Sequence, residues 1–186
     1  YESAPGLIEA FRSLGAPVVS HGRTNAEAQA GLTEAAEAAL IVEARDVIAA
    51  REGRAPQGWL GPWISETERT PDLLAEAGFG YVLDWCMDDQ PVWLKTRKRP
   101  LLAVPYSQEI NDSSTIIGRQ ASATEFAQMI IDQFDEMRGT PGDEPLVMSV
   151  ILHSFISGQP FRLRALRRAV EQAYVARLAG HARQPF

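Results

Sequence analysis

A set of short apolar runs, each closing on a polar residue, constrains this chain most. They are Pro17-Val18-Val19-Ser20, Tyr81-Val82-Leu83, Leu101-Leu102-Ala103-Val104-Pro105 and the run Leu146 to Leu152 that ends at His153. A strand covered on both faces reads as a continuous apolar run rather than as an alternation. Helix-patterned segments separate most of these runs, which predicts a parallel sheet with right-handed crossovers. In barrels of alternating strands and helices the site lies beyond the C-terminal ends of the strands. The polar residues found there are His21, Asp84, Asp88, Asp89, Glu109, Asn111, Asp112 and His153.

The helices announce themselves by spacing and caps. Pro5 precedes Leu7, Ile8, Phe11 and Leu14, and Gly15 stops the turn. Leu40, Ile41, Ala44, Val47 and Ile48 keep helical spacing over residues 33–50, ended by Gly53. Thr70 caps a helix with Pro71 at its first position and Asp72 in its first turn, which stops near Gly78. Ser122 and Glu125 form a capping box before Phe126, Met129, Ile130, Phe134 and Met137. The last helix is expected over residues 161–178. The segment from Pro56 to Pro62 reads as strand or loop. No repeat or linker divides the chain, so a single domain over residues 1–186 is expected.

Composition removes several function classes. With 186 residues at 45% apolar, the chain can build one real core. Its net charge of −6 and lack of a basic stripe argue against nucleic acid. Arg162 to Arg168 alternates Arg with Leu, as the outer face of an amphipathic helix does. Cys86, the one cysteine, makes neither an internal disulfide nor a thiolate cage and reads as a small buried residue. No run reaches the roughly 18 apolar residues of a membrane span. No basic-then-apolar leader opens the chain, so no membrane partner is expected and the cytoplasm is the default location.

Three constellations could carry chemistry. His21 and His153 each follow an apolar run, where a neutral imidazole can ligate a metal or move protons. Asp84, Asp88 and Asp89 put three carboxylates in six residues after a strand, and carboxylates held close raise one another's pKa. Gly58-Trp59-Leu60-Gly61-Pro62 pairs glycines, which allow close approach, with an aromatic ring that could face a sugar or ureide. Phosphate-binding glycine loops, a Gly-x-Ser-x-Gly elbow and a His-Glu-x-x-His helix are all missing from the sequence.

In this order the segments resemble the polysaccharide deacetylase (NodB-like) family, and its metal-independent, allantoinase-like branch in particular. The matching stretches are Ser20 to Asn25, Pro56 to Trp59, Thr70 to Phe79, and Tyr81 to Trp85 with Asp88-Asp89-Gln90-Pro91. They continue with Pro105-Tyr106, Asn111-Asp112, Leu152-His153 and Gly158 to Arg162. The resemblance implies a distorted barrel of parallel strands and outer helices, and hydrolysis of a carbon–nitrogen bond other than a peptide bond. It implies N-deacetylation of a sugar or related amide, with ureide hydrolysis as the alternative. In metal-using members an Asp and a His-x-x-x-His pair hold a divalent cation such as zinc. Here His21 matches the first histidine, but Asn25 stands at the second, and no Asp lies in the first 20 residues.

The expected roles follow from the resemblance. His153 is the general acid, and His21 polarises the carbonyl or binds a metal. Asp88, Asp89, Asn111 and Asp112 bind substrate, Trp59 stacks on it, and a base lies before Tyr1. Unpaired strand edges lead us to expect a homo-oligomer or a missing segment. The competing expectation is a degenerate domain that binds its sugar or ureide without turning it over.

Overall fold

The computed structural model describes residues 1–142 and 145–181. They fall into two compact units, Tyr1–Asp84 with Val92–Ala103, and Trp85–Pro91 with the residues from Val104 onward.

The first unit holds α1 (Pro5–Ser13), β1 (Val19–Ser20), α2 (Glu34–Glu52), β2 (Gly58–Trp59), α3 (Thr70–Ala77), β3 (Tyr81–Val82), β4 (Val92–Leu94) and β5 (Leu101–Ala103). The strand order is β1-β2-β3-β5-β4, with the first four parallel and β4 antiparallel on β5. The class is therefore the expected α/β with a parallel sheet. Ser20, Trp59, Val82 and Ala103 lie in one row across the four parallel strands, and all four are buried. One step beyond that row the chain emerges with His21, Leu60 and Leu83.

Local sequence explains the helices. The Thr33 hydroxyl caps α2 by accepting from the Ala36 amide at 3.3 Å, and Gly53 ends it with φ +70°. Leu40, Ile41 and Ala44 of α2 pack with Leu73 and Leu74 of α3, over Trp59, Phe79, Val82 and Leu101. Fully burying one such Leu or Ile is worth about 1.5–3 kcal/mol. The predicted α1 is present, yet none of its residues is buried, and Leu7, Phe11 and Leu14 stay exposed. β4 escaped the sequence reading because it lies at an edge, with Val92 and Trp93 exposed, and so lacks the buried apolar run of the other strands.

The second unit is built on α4 (Ala123–Gly139), α5 (Ser154–Ser157) and α6 (Pro160–His181). Both halves of the Ser122–Glu125 capping box form. Phe126, Ala127 and Ile130 of α4 pack with Ala165 and Ala169 of α6, and Ile110, Ile116 and Ile156 close the cluster. The strand expected over residues 146–152 is reduced to one parallel bridge, Asn111 to Ile151. There the Ile151 amide donates to Ile110 at 2.9 Å, and the Asp112 amide donates to Ile151 at 3.1 Å. The preceding backbone goes elsewhere: the Val147 amide donates to Asp89 O at 2.8 Å. The apolar run reports burial, but a strand also needs a neighbour in register. Among the described residues no helix is long and apolar enough to cross a membrane.

Candidate active site

In the first unit the sheet delivers His21, and one backbone carbonyl and one side-chain amide hold it. Its Nδ1 lies 2.7 Å from the Leu60 carbonyl and its Nε2 lies 3.1 Å from the Asn25 amide oxygen. The carbonyl can only accept, so Nδ1 carries a hydrogen. Facing the Asn25 oxygen, which can only accept, Nε2 makes this hydrogen bond only as a second donor. Gly22, at φ +67°, bends the chain so that Asn25 returns to the ring. A Cβ there would also stand 2.8 Å from Pro62 Cγ.

Asp84 follows β3, and the field of His21 reaches its carboxyl. Both of its oxygens accept from the Gly61 amide, at 2.8 and 3.0 Å. Gly61 cannot carry a side chain, because a Cβ would sit 2.8 Å from Ser65 O and 2.9 Å from both Asp84 Oδ2 and Gln29 Oε1. Burial holds the Asp84 carboxyl above the ordinary carboxylate range. Hydrogen bonds from the Glu66 side chain and the Gly61 amide, and the field of His21, pull the other way without cancelling it.

A raised carboxyl means that the folded state holds a proton which the unfolded state has released. Stability then falls as pH rises from the ordinary aspartate value through the raised one. Asp84→Asn is expected to flatten that fall, measured as urea midpoints from about pH 4 to neutrality. An unchanged slope would show that Asp84 is not the group responsible.

Beneath this cluster runs a buried polar chain. Trp59 Nε1 donates to Gln29 Oε1 at 3.2 Å, and Gln29 Nε2 donates to Glu37 Oε1 at 2.9 Å. The hydroxyls of Thr67 and Thr70 also donate to Glu37. Trp59, Gln29, Glu37 and Thr70 are all 0% exposed. Trp59 is therefore not a stacking surface for substrate, as the sequence suggested. Its ring lies edge-on to Phe79 with centroids 5.4 Å apart, inside the core.

The second unit contains an aspartate–histidine dyad. Asp112 is fully buried, and its Oδ1 lies 2.6 Å from His153 Nδ1. Its Oδ2 accepts from the His153 amide at 2.8 Å and from Ser157 Oγ at 2.6 Å. His153 occupies the N-cap position of α5, and its side chain is 36% exposed. The carboxylate fixes Nδ1 as the donor and leaves Nε2 free to exchange a proton. Asp112 thus serves the histidine and has no surface for the substrate contact expected of it. Asn111 is also buried, its Oδ1 accepting from the Ser113 amide at 3.0 Å, so it shapes the turn instead. Asp88 and Asp89 stay exposed, and Asp88 Oδ1 accepts from the Asp89 amide at 2.7 Å. Cys86, expected to be buried, is exposed. Sequence reading missed the parts played by Asp84, Gly61 and Ser157, whose partners lie far away in the chain.

The fold family's metal is not matched by the residues present. Among the described residues no three His, Cys, Asp or Glu side chains are grouped to hold an ion. Both nitrogens of His21 are taken by an amide and a carbonyl.

Neither a family model nor a curated protein matches the chain. Solved structures do. PuuE allantoinase superposes with TM-score 0.82 at 29% identity, over 94% of this chain and 58% of that one. A Pseudomonas aeruginosa PAO1 protein assigned as a polysaccharide deacetylase gives 0.81 and 29%, over 94% of this chain and 58% of its own. A Mycobacterium smegmatis protein so assigned gives 0.78 and 23%, covering 92% and 61%, and speaks for the fold alone. The chain thus spans under two thirds of each of these proteins. It has the fold of the NodB-like polysaccharide deacetylases, as its ordered motifs implied.

Proposed function

We propose that this chain belongs to a hydrolase of carbon–nitrogen bonds other than peptide bonds. The observation that carries the reading is the Asp112–His153 dyad, a buried carboxylate that orients a half-exposed imidazole. Hydrolysis adds water to the amide carbonyl and then breaks the C–N bond as the nitrogen gains a proton. His153 Nε2 is the donor of that proton, with Nδ1 anchored on Asp112. His21 is engaged at both nitrogens, so it polarises a substrate carbonyl through Nε2 only by exchanging Asn25 for that carbonyl. Asp88 and Asp89, exposed and acidic, are available to donor groups of a substrate.

Sugar N-deacetylation and ureide hydrolysis are both supported by the shared fold. Asp88-Asp89-Gln90-Pro91 and Asn25 favour the ureide. The test is a paired assay of acetate release from N-acetylated chitooligosaccharides and of ring opening of allantoin. Turnover of either above the His153→Ala background supports the hydrolase. Binding without turnover of both would replace it with a ligand-binding role.

A further inference from the structure

We propose that Ser157 is a positioning residue for His153, acting through Asp112, a role that rests on the hydrolase reading above. Asp112 has two oxygens and three donors. Oδ2 takes the His153 amide at 2.8 Å and Ser157 Oγ at 2.6 Å, and Oδ1 takes His153 Nδ1 at 2.6 Å. With Oδ2 held from two sides, the carboxylate cannot rotate about its Cβ–Cγ bond, and Oδ1 stays aimed at the imidazole. His153 and Ser157 stand four residues apart, so one turn of α5 brings both to the same carboxylate.

The serine hydroxyl has no competing use. A helical serine commonly bonds back to the carbonyl four residues before it. Here that carbonyl, His153 O, already accepts from the Ile156 and Ser157 amides, at 2.9 Å each. Ser157 is only 4% exposed, so solvent does not serve as its partner. The charged side chains nearest in sequence are Glu109 and Arg119, on either side of Asp112, and Arg162 and Arg164, opening α6. None of them makes an ion pair with either member of the dyad: Arg162 Nη1 donates to Ile156 O at 3.3 Å. Asp112 is the one carboxylate that pairs with His153 among the described residues.

Locking the carboxylate locks the tautomer. While Oδ1 faces Nδ1, the neutral ring keeps its hydrogen there and leaves Nε2 bare to pick up a proton and hand it on. The test is the imidazole 15N spectrum of the chain, whose three histidines are His21, His153 and His181. His153→Ala assigns the signals. In folded Ser157→Ala the Nε2-protonated tautomer of His153 is expected to rise several-fold. Turnover should fall about tenfold or more with KM little changed, as for other outer partners of a functional histidine. Ser157→Thr, which restores a hydroxyl, is expected to recover both. Ser157→Cys keeps the volume but donates weakly, and it moves the tautomer the same way should the alanine variant fail to fold. A wild-type tautomer mix in whichever of these two folds overturns the proposal. The spectrum needs no substrate, so it decides the role of Ser157 even where neither test substrate is hydrolysed.

Discussion

Replacing His153 with alanine is expected to leave a folded protein whose turnover has dropped by about 100- to 10,000-fold, the usual worth of a positioned acid or base. The fold survives because the imidazole is 36% exposed and belongs to neither core cluster. The backbone amide of residue 153 still reaches Asp112 Oδ2 in the variant. What is lost is the donor to Asp112 Oδ1, and one buried oxygen left short costs about 1–3 kcal/mol. Melting should therefore shift by several degrees while near-ultraviolet dichroism keeps its native form. Full turnover in that folded variant, on a substrate the wild type hydrolyses, would remove His153 from the mechanism.

Glu37→Ala should be the most damaging substitution to stability, since each buried donor left unpaired costs about 1–3 kcal/mol. Glu37 sits in the first turn of α2 with no exposed surface and gathers hydrogen bonds from Gln29, Thr67 and Thr70. Alanine strands the buried donors of Gln29 and Thr70, leaves the partly buried Thr67 hydroxyl without this acceptor, and frees Gln29 from the position from which it holds Trp59. Glu37→Gln keeps one acceptor oxygen and the shape, so it should lose about half as much. Urea unfolding of the three proteins gives the comparison. Equal stability of the alanine variant and the wild type would mean that the network is dispensable.

The sequence revealed what is local. The capping box at Ser122 and the apolar spacing of α2 are short-range patterns, and they predicted their helices within a few residues. The short runs at Val19, Tyr81 and Leu101 likewise found their strands. Long-range pairing was hidden. Nothing in Leu146 to Leu152 tells that its neighbours offer a bridge instead of a ladder. The glycines around Trp59 suggested an approach to ligand, but their cause is packing: a Cβ on Gly58 would stand 2.2 Å from the Tyr81 ring. The site divides the same way. His21 and His153 were visible as residues beyond strand ends. The meaning of Asp112 and Asp84 came only with partners 41 and 23 residues away.

Cys86 gives the molecule a single chemical address. The chain has no other thiol, and this one is exposed, two residues from Asp88. A maleimide dye therefore attaches at one known position in the second unit, with no mutagenesis needed to remove competitors. Its fluorescence then reports on the acidic segment Asp88-Asp89 whenever a candidate substrate is added, whether or not that substrate is consumed.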